Sequence, residues 1–388
     1  MKAGAFLYPW DVLGDPAAAD RVAALGVRQV TLASAYHSTR ALTPRHPRHR
    51  VVTAEHSAVL YTPGGRWRGR ALRPYAVGGW APGEAWAEAA GALEAAGLDV
   101  HAWVVLAHNS RLGTEHPDTC VVNAYGDRYP WAPCIARPDV CAHLVDLAAE
   151  AAARPGAGGA ELESCGWYGF AHPHAHDKVA GVGLGEVGQY LMSLCFCADC
   201  RTGYAAHGQD PDHLAAAVRR GLEPEWRGAP PASGWAGVER LVGDGAAAAT
   251  RAWRERTARE LQERAVAAVR AEAPVGFPVL LHADPVPYHC GANAGVDPAH
   301  VLSVADGVVV PCTGDARALA PFAARATDRT VLAANLTVVA GLGGSPATLA
   351  ADARRAGALG AIELRLYHAG LASDADLAHV ARELSRLA

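Results

Sequence analysis

Cys195, Cys197 and Cys200 fall within six residues, in the run Leu194-Cys-Phe-Cys-Ala-Asp-Cys-Arg201, a spacing that turns three thiolates toward one point. A tetrahedral zinc ion is the simplest tenant of such a knot, taking three ligands here and one from elsewhere. A site of this kind identifies a scaffold and not a reaction. The candidate reaction chemistry lies in two other runs. In Gly159-Ala-Glu-Leu-Glu-Ser-Cys-Gly-Trp-Tyr-Gly-Phe170 the carboxylates of Glu161 and Glu163 are two residues apart, and so share one face of an extended segment. Glu163, the later of the two, is expected at the segment's mouth beside Trp167 and Tyr168, surroundings that raise a carboxyl pKa and suit a general acid. Glu161, one layer deeper, reads as structural. The run Leu281-His-Ala-Asp284 likewise aligns His282 with Asp284, and Asp284 is the second candidate catalytic carboxylate, with capping of its own loop as the alternative.

Groups suited to binding hydroxyls surround these acids in the sequence. Tyr36-His-Ser-Thr-Arg40 offers Tyr36 and Arg40, and Leu106-Ala-His-Asn-Ser-Arg-Leu-Gly113 offers His108, Asn109 and Arg111. Asp11 and Asp315 are weaker acids of the same kind as Asp284. Trp10, Trp103, Trp131, Trp167 and Tyr168 would supply planar apolar faces, so the set resembles what a sugar requires. In His172-Pro-His-Ala-His-Asp-Lys178, His172 and His174 read as rim groups touching substrate, with a metal cluster as the alternative. Ala361-Ile-Glu-Leu-Arg-Leu-Tyr-His368 aligns Glu363, Arg365 and Tyr367, and Arg365 is placed to neutralise Glu161 or Glu363. Ala334-Asn-Leu-Thr337 carries Asn335 and no acid.

These residues need a scaffold that brings distant segments to one mouth. Eight short apolar or β-branched runs supply it: Lys2 to Tyr8, Gln29 to Ala35, Asp99 to Ala107, Gly159 to Ser164, Pro278 to Asp284, Gly307 to Cys312, Val331 to Thr337, and Ala361 to Tyr367. Helical stretches alternate with them, at Pro16 to Leu25, Gly83 to Ala96, Pro138 to Ala153, Ala248 to Ala273, Pro346 to Leu359 and Asp374 to Leu387. Eight strand-helix units predict a single α/β domain over 1–388, a (β/α)8 TIM barrel. Two connections are long, from Tyr36 to about Gly83 and from Cys165 to about Ala247, the second carrying the cysteine knot; both follow strand ends, where a barrel builds its active-site rim. Glu223 to Gly234 reads as an exposed loop, and Pro44 to Arg50 as a solvated basic one. Nine cysteines in 388 residues and a start without a cleavable apolar segment predict a reducing, cytoplasmic setting. No long uncharged apolar run predicts a membrane span. A net charge of -4 from 35 basic and 39 acidic residues argues against nucleic acid. The expected partner is a small-molecule or oligosaccharide substrate, with homo-oligomerisation left open.

Arg128-Tyr-Pro-Trp-Ala-Pro-Cys-Ile-Ala-Arg-Pro-Asp-Val140, a strand ending in glutamate, then Cys195-x-Cys197-x-x-Cys200 with Arg201 and Tyr204, together resemble the β-galactosidases of glycoside hydrolase family 42 over roughly Asp127 to Tyr204. The resemblance implies Cys134 as the fourth ligand of one structural zinc site and Glu163 as the acid/base. It also implies a catalytic barrel acting by glycoside hydrolysis. Where that family has asparagine before its acid/base glutamate, this chain has Leu162, and its seventh-strand nucleophile is replaced by Asn335 and Thr337. Hydrolysis is therefore expected to invert the anomeric centre, with Asp284 activating water, or to draw a partner such as Glu55 from the first insertion. Two other readings stand beside it. One is a metal-dependent sugar isomerase or epimerase with Glu163, Asp284, His282 and Glu363 around a divalent ion. The other is a sugar-binding barrel without catalysis.

Overall fold

The computed structural model describes residues 1–79, 83–170 and 178–387. Eight strands run parallel: β1 (Lys2–Leu7), β2 (Gln29–Tyr36), β3 (Asp99–Val105), β4 (Gly159–Glu163), β5 (Val279–Asp284), β6 (Gly307–Pro311), β7 (Val331–Thr337) and β8 (Glu363–Tyr367). Each pairs with its sequence neighbour, and β8 pairs with β1 in the register Gly4↔Arg365, which closes a (β/α)8 barrel. The strands lie where the eight apolar runs predicted them, within one to two residues at each end. Helices α1 (Ala18–Ala23), α2 (Ala85–Ala95), α3 (Pro138–Ala152), α4 (Asp244–Glu272), α5 (Pro298–Val304), α6 (Ala320–Ala323), α7 (Leu349–Ala358) and α8 (Asp374–Ser385) form the outer layer. No helix among the described residues is long and apolar enough to cross a membrane.

The insertions hold more structure than their composition announces. After β2 comes an antiparallel hairpin, Thr39–Leu42 with Val51–Ala54. Its basic tip is not wholly solvated, since Arg45 donates to the carbonyls of Gly370 and Ala369 (2.8 and 3.3 Å) and also to that of Ala372. After β4 come helices Glu186–Met192, Ala198–Ala206, Pro211–Trp226 and Gly234–Val242. The expected loop from Glu223 is corrected here: Glu223 to Trp226 complete a helix that contains Pro224. Pro224 is tolerated because it stands in the last turn, where only one backbone bond is forfeited.

Alternation along the strands divides the barrel. Outward residues pack on the helices, whereas Leu280, Val309 and Ala333 form a small cluster of their own inside. The rest of that inner layer is polar and holds a buried ion pair. Glu161 and Arg365 are fully buried, and Glu161 Oε1 accepts from Arg365 Nε at 2.6 Å, Thr31 Oγ1 at 3.0 Å and Gln29 Nε2 at 3.4 Å. Arg365 Nη1 also donates to Glu363 Oε2 at 2.8 Å. Arg365 thus neutralises both carboxylates that the alternation had offered it. Gly4 provides the space: a Cβ there would lie 3.4 Å from Arg365 Cδ.

Removing one member of a buried pair strands the other's charge, at a cost of roughly 3–5 kcal/mol. Glu161→Gln is therefore expected to lower the unfolding free energy by about that amount, read as a fall in urea midpoint, and the double variant with Arg365→Met should recover part of it. An unchanged midpoint in the single variant would mean that this pair does not hold the barrel together.

Candidate functional site

Glu163 is the last residue of β4 and is buried, 3 % exposed. The chain leaves it through Ser164, whose φ of 56° is left-handed in a residue that is not glycine. Such backbone is held only where the surroundings enforce it, and it gathers at functional sites. Here Ser164 N donates to Ala292 O at 2.8 Å and Ala107 N to Ser164 O at 3.1 Å. The Glu163 carboxyl is met by Trp103, whose Nε1 donates to Oε2 at 2.8 Å, and by His282 Nδ1 at 3.7 Å. Phe6 lies edge-on to Trp103, His282 and Tyr367, with centroids 4.6, 5.5 and 5.3 Å apart. Tyr8, Tyr36, Tyr168 and Tyr367 complete an aromatic collar. Burial above all raises the pKa of each of these phenols, and the charge of Glu163 adds to it in all four, so their hydroxyls keep their protons and can donate.

A second left-handed residue, His368 with φ 61°, follows β8. Its Nδ1 lies 2.9 Å from Tyr8 Oη, which lies 2.9 Å from Tyr36 Oη. Burial, with His37 adding, pushes His368 down to about 3, so the ring is neutral and its polarity is spent within this chain of three. Sequence reading missed Tyr8 and His368; continuing the alternation Gly4, Phe6, Tyr8 along β1 would have found the first.

Asp284 ends β5 and is bound twice: Oδ1 accepts from Val286 N at 2.8 Å, and Oδ2 lies 2.9 Å from His289 Nδ1. His289 Nε2 in turn lies 3.1 Å from Glu186 Oε2, and Glu186 Oε1 accepts from Gly234 N at 2.6 Å. Burial disfavours the charged ring of His289, yet Asp284 and then Glu186 hold its pKa above the ordinary histidine value. Glu186 itself is lowered, first by the Gly234 N–H and then by His289. These three groups, with Tyr190, Tyr288, Asn293 and Tyr367, line a cavity of about 490 Å³. Glu186 and His289 come from loops and a short helix, where no periodicity marks them.

The other residues singled out in the sequence are dispersed. Asn335, 8 % exposed, faces the interior opposite Arg365 in register, and its Oδ1 has no partner among the described residues. His108 stacks on Tyr168 at 4.3 Å, and Asn109 Oδ1 caps a helix at Leu112 N. Tyr36 also lines a second cavity of about 200 Å³ with Trp10, His37, Glu55 and His56. Trp167 is buried, with Arg254 over its ring at 4.6 Å. Arg40 is exposed on the hairpin and Arg111 pairs with Glu115 at the surface. Asp11 accepts from Tyr8 N at 2.9 Å and presses on Gly370, where any Cβ would collide with it; burial raises it to about 7. His172 and His174 lie outside the described residues. Glu363 is taken by Arg365, and among the described residues the cysteine cluster is the one group of metal-ligating side chains whose atoms converge. The four groups of the isomerase reading, Glu163, Asp284, His282 and Glu363, do not form such a group among the described residues.

The Sγ atoms of Cys134, Cys195, Cys197 and Cys200 lie within 4.8 Å of one another, and Cys134 is 3.6 Å from both Cys197 and Cys200. That is too far for a disulfide, about 2 Å, and close to the ~3.8 Å edge of a tetrahedron of thiolates around a metal at ~2.3 Å. Val122 N and Cys197 N both point at Cys195 Sγ, at 3.5 and 3.4 Å. The donor set fits a closed metal site.

No family model matches the chain, and no curated protein matches it in sequence. Solved structures match in fold. An α-L-fucosidase from Paenibacillus thiaminolyticus superposes with a TM-score of 0.57 at 12 % identity, over 100 % of this chain and 49 % of that one. The PgaB (BpsB) glycoside hydrolase domain from Bordetella bronchiseptica gives 0.56 at 15 %, over 99 % and 97 %. A β-galactosidase from Rahnella gives 0.55 at 12 %, over 100 % and 56 %. The chain thus spans about half the length of the fucosidase it resembles. At these identities the likeness establishes the barrel, and the family-42 resemblance rests on the motif from Asp127 to Tyr204.

The Asp284–His289–Glu186 bridge carries a pH signature. A histidine whose folded pKa is raised contributes stability fully below its unfolded pKa, about 6.5, and loses it as pH rises through the folded value. Glu186, lowered in the fold, sets the acid edge, below which its contribution disappears. The difference in melting temperature between the wild type and His289→Gln is expected to be largest near pH 6 and to shrink in alkali. A difference independent of pH would show that His289 is not charged in the bridge.

Proposed function

We propose that the chain is a glycoside hydrolase acting on a carbohydrate or sugar-like small molecule, with Glu163 as proton donor. The observation that carries this reading is the position of Glu163: a buried carboxyl at the carboxyl end of a barrel strand, inside a collar of Trp103, Tyr8, Tyr36, Tyr168 and Tyr367. Aromatic walls take the C–H faces of a sugar, and protonated phenols donate to its hydroxyls. Active sites of such barrels sit at this face. The solved structures that share the fold include ones named as a fucosidase, a glycoside hydrolase domain and a β-galactosidase, which supports the class without indicating the sugar.

Asp284 is the proposed second carboxylate. Val286 N and His289 fix its orientation, and each oxygen keeps a lone pair for a water in the 490 Å³ cavity beside it. With Asn335 where a seventh-strand nucleophile would stand, water attack and inversion follow. His172 and His174 are retained as proposed substrate contacts. For the cysteine cluster the proposed ion is zinc, which would join the hairpin Cys120–Val122/Arg128–Pro133 to the insertion after β4 and leave no coordination position open for chemistry.

Glu163→Gln keeps the shape of the side chain and removes its proton. Turnover of an unactivated oligosaccharide substrate is expected to fall by about 100-fold or more, with binding by calorimetry nearly intact and a smaller loss on aryl glycosides whose leaving group needs no acid. Wild-type turnover in the variant would remove Glu163 from the mechanism. The purified chain should also hold one zinc by elemental analysis. Cys197→Ser should lower stability before it alters any chemistry, and a metal-free protein of full stability would refute the zinc assignment.

A further inference from the structure

Two buried polar atoms in the barrel interior face each other without a hydrogen-bond partner among the described residues, Glu161 Oε2 and His282 Nε2. They are 3.5 Å apart. The opposite edge of the same ring points toward the candidate acid, with Nδ1 3.7 Å from Glu163 Oε2. His282 is 2 % exposed, and Phe6 meets it edge-to-face at an interplanar angle of 79°, which fixes the ring plane. One imidazole therefore bridges the gap between the two carboxylates of β4.

Charge determines where the hydrogens sit. Burial alone would raise Glu161, but the guanidinium of Arg365, with help from His282 and His101, brings it down to about 2. An ionised Oε2 facing Nε2 requires a hydrogen on that nitrogen, because two lone pairs at this distance repel. A neutral ring then carries its lone pair on Nδ1, aimed at Glu163. That lone pair and an ionised carboxylate oxygen would repel in the same way unless one proton sits on one of them. A histidine ring whose one edge is fixed by a carboxylate presents a defined proton state at the other.

We propose that His282 is the positioning residue of the proton donor: Glu161 and Arg365 fix its orientation, and it holds one proton in common with Glu163. The inference rests on reading Glu163 as the acid. In the reactive arrangement the proton is on Glu163. The carboxyl O–H breaks as the departing sugar oxygen gains that proton, the glycosidic C–O bond breaks with its electron pair going to the same oxygen, the anomeric carbon gains a bond from a water oxygen whose proton passes to Asp284, and His282 keeps its Nε2 hydrogen throughout. Among the described residues, the charged and titratable groups facing this unit are Glu161 and Glu163 on β4, Arg365 and Glu363 on β8, His101 on β3, and Tyr8, Tyr36, Tyr168 and Tyr367 around Glu163; Asp284 follows on its own strand.

Two groups that share a proton titrate as a pair, and the apparent values belong to the pair. The test reads this in two ways. In protein labelled with ¹⁵N-histidine, the His282 signals are assigned by their loss in His282→Gln, or in His282→Phe should the first not fold. Nε2 is expected to stay protonated at every pH where the protein is folded, whereas the Nδ1 titration should move by about one pH unit or more in Glu163→Gln. An Nε2 without its hydrogen, or an Nδ1 midpoint unchanged by Glu163→Gln, overturns the proposal. On a panel of 4-nitrophenyl glycosides and oligosaccharides, His282→Gln should shift the basic limb of kcat/KM to lower pH by a similar amount, a change that a merely structural role would not produce. Absence of turnover by the wild type on every glycoside, with the nitrogen signals behaving as expected, would dismiss the hydrolase reading and leave the shared proton standing.

Discussion

A guanidinium with no exposed surface must be matched by charge inside the barrel, and Arg365 is matched by Glu161 at 2.6 Å. Desolvating the two ions costs several kcal/mol each, and their attraction recovers this only where the remaining donors and acceptors are also satisfied. The surrounding strands meet much of that demand, while Arg365 Nη2, Glu161 Oε2 and Gln29 Oε1 have no hydrogen-bond partner among the described residues. Thr31 and Gln29 of β2 bond the same carboxylate oxygen, Glu363 of β8 takes a second guanidinium nitrogen, and Gly4 of β1 leaves room for the stem. The layer thereby ties β2, β4 and β8 together across the interior, and it forms the polar floor on which everything nearer the mouth rests.

Strand geometry places the site one pleat above that floor. Glu163 follows Glu161 by two residues, as Tyr367 follows Arg365, so the residues that settle the buried charge also orient those at the mouth. Directly beyond these two strand ends stand Ser164 and His368, the two left-handed residues among those described that are not glycine. Their coincidence with the aromatic collar is what a strained functional rim looks like, since each costs of order 1–3 kcal/mol and needs its neighbours to enforce it. Across the mouth the character changes. Around Glu163 the walls are rings; around Asp284 they are the ionisable groups of His289 and Glu186.

Period-two alternation made the barrel legible, because buried parallel strands are short apolar runs whose ends are marked by loops. It also groups the polar residues by face, Glu161 with Glu163, His282 with Asp284 and Glu363 with Arg365, and the contacts of Glu161, Glu163, His282, Glu363 and Arg365 put them together in the interior. The insertions were opaque for a physical reason. Pro224 looked like a terminator although it stands where a last turn can tolerate it. His289 and Glu186 meet only through tertiary folding, 103 positions apart in the chain. Nothing local in the sequence could have paired them.

The cysteine cluster and the ionisable wall are parts of one construction. Cys134 ends the hairpin after β3, and Cys195, Cys197 and Cys200 lie in the insertion after β4, so closing the cluster holds two neighbouring rim segments together. Phe196 N adds a bond to Val122 O at 2.7 Å, and Tyr129 of the hairpin donates to Met192 O at 2.8 Å, at the end of the helix Glu186–Met192. Arg254 of α4 secures the next carbonyl, Ser193 O, at 2.8 Å. A helix held so firmly at its carboxyl end presents its first residue, Glu186, at a fixed place above the cavity, where it meets His289 and through it Asp284. The segment that carries three of the clustered cysteines can in this way help fix the place of a carboxylate that lines the cavity.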